Sequence, residues 1–447
     1  MSEQHLRSVP RHPPARRIFL ECTSTHASRY NTGIQRAVRN LVNASLAIAP
    51  CDPVVYNGRY FETINALPYQ ASAGRGEERS FAIDRMRRAF HSARSSIVRG
   101  VPSRAVRDAL FSQRLEYALR RVVYAAQNAR RWAGSYRSDA AARVEFRHDD
   151  VLVLLDSTWS VDLTPELARA RGAGAKIWVV VNDLIPIQYP DLAPEGSPIL
   201  LDRWLRRTVP YAHGLLGISS AVAEGLRQHL WRSGISPVSP RIEFFYLGAG
   251  IETAAHDESA LAKVRPVFEP AGGAVYLCVG TVEPRKQHSL VLDAFERLWR
   301  EAVNARLVIF GRHGWRSDEL VRRIRTHAEF GRRLAWIDQG SDAELDYAYR
   351  HATALIFASR CEGFGLPLAE AMQYGLPVIA SDIPVFREIG GDYPRYFDVD
   401  RVEALFDTLR DFERQRALGR ISRWAHPWLT WSDSARMLLH TVAGDAA

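Results

Sequence analysis

Cysteine is scarce in this sequence, and no two cysteines have the spacing of metal ligands. The four cysteines form no CxxC pair, and three of them lie in or beside apolar runs with strand character. A free cysteine in such a place behaves as a small apolar residue. In the candidate loops described below, no His or Asp cluster with ligand spacing stands out. We therefore expect a reducing compartment, no zinc site and no bound metal.

Long apolar runs are also lacking. None approaches the ~18 to 20 residues that a membrane-spanning helix needs. Residues 1–16 are polar, contain Pro10, Pro13 and Pro14, and lack the apolar core of a secretory signal. These features predict a cytoplasmic protein that is not integral to a membrane.

Lysine is rare, since only three of the 59 basic residues are lysine, and the arginines are unevenly placed. Residues 75–149 hold 17 Arg against 8 acidic residues, an excess that equals the formal net charge of +9 of the whole chain. Such a block favours an anionic partner, which could be lipid headgroups, a pyrophosphate-linked acceptor or nucleic acid. A set of solvated helices explains it equally well. Nucleic acid is not expected, because interleaved aromatic residues and a nucleic-acid motif are missing.

The length of 447 residues exceeds what one core usually organises and predicts two domains. Short β-branched runs alternate with helical stretches, which is typical of parallel sheets built from βαβ units. We predict one α/β domain over residues 1–260, a second over residues 261–447 with a terminal helix, and a linker near residues 257–270. Between residues 55 and 150 the pattern becomes Arg-rich and helical, which predicts a helical insertion over about residues 75–149.

The most informative segment is EGFGLPLAE at residues 362–370, directly after a predicted strand at residues 354–358. Ligands of parallel sheets bind at the carboxyl ends of the strands. Gly363 and Gly365 let backbone N–H groups approach an anion, and Pro367 suits the first turn of a helix. Glu362 and Glu370 can then contact one bound molecule at two separate points, on either side of a diphosphate.

A second loop, GTVEPRK at residues 280–286, follows the predicted strand at residues 275–279. Its adjacent cations Arg285 and Lys286 can neutralise a leaving pyrophosphate, the lysine as a point charge and the arginine in bidentate fashion. Two weaker segments follow earlier strands: TGIQR at residues 32–36, where Gly33 opens a helix, and NDLIP at residues 182–186, which contains Asp183. Asp183 as a turn cap is the competing interpretation.

These four segments resemble the retaining GT-B glycosyltransferases of family GT4, particularly mannosyl- and rhamnosyltransferase-like members. EGFGLPLAE carries the family's paired glutamates, and dense matching is confined to the C-terminal half. Many members have a histidine where this chain has Asn182, so only Asp183 is carried over there. The resemblance implies a GT-B fold with two Rossmann-like domains and a metal-independent transfer from a nucleotide diphosphate sugar to a glycan or lipid-linked acceptor in surface polysaccharide synthesis. It also implies two groups of site residues. The catalytic group is Glu362, Arg285, Lys286 and Asp183, and the donor-binding group is Glu370, Gly33, Gly280, Gly365 and Leu366.

The sugar is mannose as the first hypothesis and rhamnose as the second. Two other enzyme functions remain possible interpretations. One is another GT-B enzyme such as a nucleotide-sugar epimerase, and the other is an inverting transferase with Asp156 or Asp183 as base. A third reading is a basic nucleic-acid-binding or scaffold protein on a degenerate GT-B fold. Peripheral contact with an anionic membrane would follow if the Arg-rich block faces lipid.

Overall fold

A computed structural model describes residues 16–28, 32–67, 142–235, 240–251, 258–269 and 273–444. Within these ranges the chain forms two sheets, one of seven strands and one of six. Every strand of the first sheet lies before residue 245 and every strand of the second lies after residue 273. We refer to the parts that carry them as the N-terminal half and the C-terminal half.

The first sheet has the order β3-β2-β1-β4-β5-β6-β7 and is parallel except for the antiparallel edge strand β3. Its central strands are buried along their whole length, because helices cover both faces of such a sheet. The strands are Ile18–Glu21 (β1), Cys51–Tyr56 (β2), Phe61–Thr63 (β3), Val151–Leu154 (β4), Lys176–Val181 (β5), Gly214–Gly217 (β6) and Arg241–Phe244 (β7).

The second sheet has the order β10-β9-β8-β11-β12-β13, and all of its strands are parallel. The strands are Ala274–Val279 (β8), Ala305–Phe310 (β9), Leu334–Ile337 (β10), Ala354–Phe357 (β11), Val378–Ser381 (β12) and Arg395–Phe397 (β13).

The helices of the described residues connect these strands and cover the two sheets. They are Thr23–Ala27 (α1), Gly33–Ile48 (α2), Thr164–Gly172 (α3), Ile185–Gln188 (α4), Ser197–Thr208 (α5), Ser220–Ser233 (α6), Glu258–Phe268 (α7), His288–Arg300 (α8), Asp318–Thr326 (α9), Asp342–His351 (α10), Leu366–Gln373 (α11), Pro384–Gly390 (α12), Val402–Ala417 (α13) and Trp431–Ala443 (α14).

Each sheet has one place where the chain order reverses. The first sheet reverses between β1 and β4, and the second reverses between β8 and β11. In open parallel sheets such a switch point leaves a crevice at the carboxyl ends of the two strands, and ligands bind there. The fold thus predicts that ligands bind at the loops after β1, β4, β8 and β11.

The last helix returns to the N-terminal half. α14 packs against α2, and the Ser434 hydroxyl donates to the carbonyl oxygen of Tyr246 at 2.6 Å. Just before α14, the indole N–H of Trp428 donates to the carbonyl oxygen of Leu247 at 2.9 Å. The two halves are therefore joined by the end of the chain as well as by the segment between the sheets.

The structure confirms two parallel sheets with connecting helices. It corrects the predicted secondary structure at two places. Within the linker predicted near residues 257–270, Glu258–Phe268 is helical and buries Leu261, Val264 and Phe268 on one face. Pro266 inside this helix hides that periodicity. Strands β2 and β3 lie partly in the stretch after residue 55, for which the sequence predicts helices. Pro53 obscures the strand pattern of β2 in the sequence.

The predicted Arg-rich insertion lies almost wholly outside the described residues. Of residues 75–149 only 142–149 are described, and they form a short bridge between Arg143 and Glu62 followed by a turn.

Candidate functional site

Two loops of the C-terminal half converge at the switch point of the second sheet. After β8 come Gly280 and a short 3-10 turn, Pro284–Lys286, and after β11 comes the loop with Glu362. The Arg285 guanidinium lies 2.7 Å from one oxygen of Glu362, and the Lys286 ammonium lies 2.5 Å from the other. Arg285 also contacts Glu283 at 2.6 Å. The structure thus brings three of the predicted catalytic residues into one ion-paired group.

Burial and charge compete within this group. Burial alone would raise the pKa of Glu362, but Arg285 and Lys286 outweigh it and hold that pKa at about 2. Burial lowers the pKa of Lys286, and the adjacent Glu362 carboxylate opposes that shift. Since the carboxylate is ionised and only 2.5 Å away, we assign the ammonium form to Lys286. Glu362 therefore carries no proton to donate near neutral pH.

Gly280 lies beside this group. A Cβ at Gly280 would lie 3.3 Å from Cε of Lys286, so the backbone after β8 forms one wall of the lysine pocket. The ring of Phe357, at the end of β11, lies 4.8 Å from the ammonium and forms another. These walls hold the ammonium beside Glu362.

The EGFG loop packs directly on the N-terminal half. A Cβ at Gly363 would lie 2.1 Å from the carbonyl oxygen of Asn182, so only glycine permits this approach. The Ser219 hydroxyl donates to the carbonyl oxygen of Gly363 at 2.7 Å. The contact fixes the loop that carries Glu362 against the loop after β5.

Asp183 lies in that second loop, close to the ion-paired group. Its carboxylate accepts the backbone N–H of Ile185 at 3.0 Å, which is the turn-capping role considered from the sequence. Burial raises the pKa of Asp183, and the positive charge of Arg285 opposes the shift. Asp183 thus holds the turn that leads into α4 and is also a neighbour of the cation Arg285.

Two helix N-termini meet beside the ion-paired group. Gly365 precedes α11 with a φ of +102°, which a side chain would strain, and Leu366 is the first residue of that helix. Gly33 is the first residue of α2, and a Cβ there would lie 3.9 Å from the side chain of Leu366. Both helix starts carry partial positive charge, which favours an anion, although a capping box of Thr32 and Gln35 already pairs part of the first turn of α2.

Glu370 has different partners from Glu362. It is almost fully buried in α11, forms an ion pair with Arg36 of α2, and accepts the hydroxyl of Tyr349 at 2.7 Å. Burial raises the pKa of Glu370, and the positive charge of Arg36 opposes the shift. Arg36 belongs to the TGIQR segment, yet the sequence prediction assigned no role to it or to Tyr349. Glu362 lies before α11, beside Arg285 and Lys286. Glu370 lies within α11, beside Arg36 and Tyr349, so the two glutamates have separate environments.

Glu388 in α12 binds a helix N-terminus of the other half. Its carboxylate accepts the backbone N–H groups of Ser220 at 2.6 Å and of Ala221 at 2.9 Å. A carboxylate at this position stabilises the start of α6. Glu388 therefore links the halves.

The switch point of the first sheet holds two buried carboxyl groups, Glu21 at the end of β1 and Asp156 just after β4. Glu21 accepts the backbone N–H of Thr23 at 2.7 Å, and Asp156 accepts those of Thr25 and Ser157 at 2.5 and 2.8 Å. Burial and the charge of Asp156 raise the pKa of Glu21 to about 8. We assign the proton to Glu21, because Asp156 receives more hydrogen bonds in its ionised form.

All four cysteines are described, and all are free and buried. In the described part of the chain, no group of three or more His, Cys, Asp or Glu residues is arranged to hold a metal ion. An Asp-x-Asp sequence does occur at Asp398 and Asp400, but Asp400 forms an ion pair with Arg360. Across the described ranges, no helix is both long and apolar enough to cross a bilayer.

Comparison with known proteins relates the chain to glycosyltransferases. Residues 262–423 match the model of glycosyl transferases group 1. The serotype-specific mannosyltransferase WbdA of Escherichia coli is 34% identical over 374 residues, which are 79% of this chain and 44% of that protein. The O-antigen chain mannosyltransferase B of E. coli is 36% identical over 138 residues, 30% of this chain and 35% of that protein. The chain thus spans less than half the length of these relatives.

Solved structures share the fold. Sucrose-phosphate synthase from Thermosynechococcus elongatus matches with a TM-score of 0.54 at 15% identity, covering 96% of this chain and 95% of that one. HepE of Anabaena, solved in complex with UDP-glucose, matches with a TM-score of 0.53 at 13% identity, with 95% of both chains covered. These structures confirm the predicted GT-B fold, and the family match covers residues 262–423.

Proposed function

We propose that this protein is a retaining glycosyltransferase, since residues 262–423 match the model of glycosyl transferases group 1. It moves mannose from a nucleotide diphosphate to a glycan in surface polysaccharide synthesis. The observation that carries the proposal is the convergence of Arg285 and Lys286 on Glu362 at the switch point of the second sheet. Mannose is supported by the names of the relatives. Rhamnose is the second candidate, and GDP is the first candidate nucleotide.

The chemistry follows from the placement of charge. The diphosphate lies against the N-termini of α11 and α2, and Arg285 and Lys286 neutralise the negative charge that grows as the glycosidic bond breaks. The bound diphosphate competes with Glu362 for these cations and frees that carboxylate to accept sugar hydroxyls. The acceptor hydroxyl attacks the face from which the diphosphate leaves, and a phosphate oxygen takes its proton.

The two cations do here what a divalent metal does in other transferases, so we propose that no metal cofactor is needed. Transfer should therefore continue at an unchanged rate in excess EDTA. The measurement is the initial rate of product formation with and without the chelator. A rate that falls in EDTA and returns with Mn²⁺ or Mg²⁺ would contradict the metal-free scheme.

Replacing Glu370 by glutamine should weaken donor binding at least about tenfold, because a carboxylate bound to a ribose diol contributes roughly 1.5 to 3 kcal/mol. Glutamine is preferred to alanine because it keeps the volume beside the buried Arg36. Isothermal titration calorimetry with the nucleotide diphosphate gives the dissociation constant.

Tyr349→Phe is the matched control for this variant. It removes the other hydrogen bond to Glu370 but leaves the carboxylate charge, so its donor affinity should stay close to that of the wild type. Unchanged binding in a folded Glu370→Gln protein would refute the ribose contact.

A thermal-stabilisation screen of nucleotide sugars tests the proposed donor class. A ligand that binds only the folded state raises stability by mass action. We expect GDP-mannose, or failing that a rhamnose nucleotide, to raise the unfolding temperature. An inverting transferase or an epimerase would pass this screen and be recognised by its product. Salt-sensitive RNA or DNA binding with no response to any nucleotide sugar would favour the basic binding protein instead.

We also propose that the acceptor is presented at the cytoplasmic face of a membrane, where the Arg-rich residues 75–149 contact anionic lipid. Each Arg near such a surface contributes on the order of 1 kcal/mol, and salt screens the attraction. Sedimentation with liposomes tests this contact. If neutralising Arg85, Arg87 and Arg88 leaves binding at low salt unchanged, the block has another role.

A further inference from the structure

A cavity of about 520 Å³ lies beside the ion-paired group, at the carboxyl ends of β11, β12 and β13. These strands lead outward from the switch point at which the donor is placed. The N-terminal half contributes Tyr189 and Leu192, from the segment that follows α4, to the lining. The polar and aromatic side chains in its lining are Tyr189, Arg360, Asp382, Tyr396, Asp398 and Asp400.

We propose that this cavity binds a neutral oligosaccharide, namely the part of the acceptor glycan beyond the sugar that reacts. The inference rests on the proposed transferase function and names the substrate class for a second part of the same site. The volume lies in the range of small-molecule sites, roughly 300 to 1,000 Å³.

The charges of the lining argue for a neutral ligand. Three carboxylates and one guanidinium line the cavity, so a phosphate or another anion would be repelled. Two of the carboxylates already have arginine partners. Asp382 forms two hydrogen bonds with Arg387 at 2.7 and 2.8 Å, and Asp400 contacts Arg360 at 2.7 Å. A cation would have to displace these arginines.

The carboxylates are well placed to bind hydroxyl groups. The hydrogen bonds from Arg387 lower the pKa of Asp382, so it stays ionised near neutral pH. Asp398 accepts the backbone N–H of Asp400 at 2.9 Å through one oxygen. Ionised carboxylates are acceptors only, with up to four lone-pair sites each. A ligand rich in O–H donors matches them.

The aromatic rings supply the other half of carbohydrate recognition. The hydroxyl of Tyr396 lies 2.8 Å from the carbonyl oxygens of Phe386 and Gly391, and Arg387 lies 3.8 Å from its ring. Tyr189 on the opposite wall is 45% exposed. An amphipathic ring of this kind packs against apolar C–H groups while its hydroxyl stays in a polar environment. Sugar rings present such C–H faces next to their hydroxyls.

Both walls of the cavity continue from the loops of the reactive centre. Arg360 is two residues before Glu362, and its backbone N–H donates to the carbonyl oxygen of Arg285 at 2.9 Å. Tyr189 follows α4, the helix that Asp183 caps. A glycan whose end reaches the reactive centre can therefore extend into the cavity along these two segments.

The test is calorimetric titration of a linear mannose tetrasaccharide into the full chain and into three variants. Tyr189→Ala removes one ring, and Asp398→Asn removes one charge at constant size. Both should raise the dissociation constant by at least about fivefold, or roughly 1 kcal/mol. Trp231→Ala is the control, since this 84% exposed aromatic residue does not line the cavity. Its affinity should equal that of the wild type.

The proposal is overturned if the wild type does not bind the tetrasaccharide, or if both cavity variants bind it as the wild type does. Thermal unfolding of each variant verifies its fold, and Asp398→Asn keeps the test valid if Tyr189→Ala is unstable. The same proteins are screened with GDP-mannose. Oligosaccharide binding that depends on Tyr189, with no response to any nucleotide sugar, would refute the transferase and keep the glycan site. If the proteins respond to GDP-mannose but both cavity variants bind the tetrasaccharide as the wild type does, the glycan site is refuted and the transferase function is kept.

Discussion

Replacing Lys286 by alanine should lower kcat by about two orders of magnitude and weaken donor binding much less. Removing one preorganised group that stabilises developing charge typically costs 10²- to 10³-fold in rate. Only interactions that strengthen in the transition state act on kcat in this way. Lys286 meets this condition because its buried ammonium is held beside Glu362 and Phe357, where water screens it little. Steady-state kinetics and donor titration measure the two effects separately.

Lys176→Ala is the matched control, because Lys176 is another of the three lysines and begins β5, away from the ion-paired group. Its kcat should match that of the wild type. Arg285→Ala should act in the same direction as Lys286→Ala. If Lys286→Ala reduces kcat and donor affinity by the same factor, the lysine contributes uniform recognition and the proposed role in the transition state is wrong.

Replacing Glu21 by glutamine should stabilise the protein at alkaline pH and have little effect at pH 4.5. The folded state raises the pKa of Glu21 from 4.5 to about 8 through burial and the charge of Asp156. The stability associated with the protonated group is therefore complete below pH 4.5 and is lost as the pH rises towards 8. Glutamine stays neutral throughout. The difference in the free energy of unfolding should reach up to about 5 kcal/mol above pH 8.

Denaturant unfolding of both proteins between pH 4.5 and pH 9 measures this difference. Glu224→Gln serves as the control, since Glu224 lies on the surface of α6 and pairs only with neighbouring residues of that helix. Its stability should follow the wild type at every pH. Parallel curves for Glu21→Gln and the wild type would show that Glu21 is ionised in the folded state.

The strands and the main site loops were predictable because their determinants are local. Strand β8 begins one residue earlier than predicted, and β11 ends one residue before its predicted end. Glycines and prolines fix the start of α11 in the same local way. Strand β2 and helix α7 were missed because each contains a proline, which conceals a pattern that tertiary packing nevertheless enforces.

The partners of the site residues could not be predicted, because they depend on contacts between distant segments. Glu362 meets Arg285 and Lys286 from 76 or 77 positions away, and Glu370 meets Arg36 from 334 positions away. The sequence places two glutamates in one short motif. Only the ion pair between Arg36 of α2 and Glu370 of α11 gives Glu370 surroundings of its own. The cavity beside Tyr189 likewise depends on how the two halves meet.

The most direct test of the account is the anomeric configuration of the product. The full chain is incubated with GDP-α-mannose and a mannose oligosaccharide, and the one-bond carbon–proton coupling of the new anomeric centre is read by NMR. The account predicts a longer oligosaccharide with a new α linkage. A new β linkage, or nucleotide-sugar conversion without transfer, would contradict it.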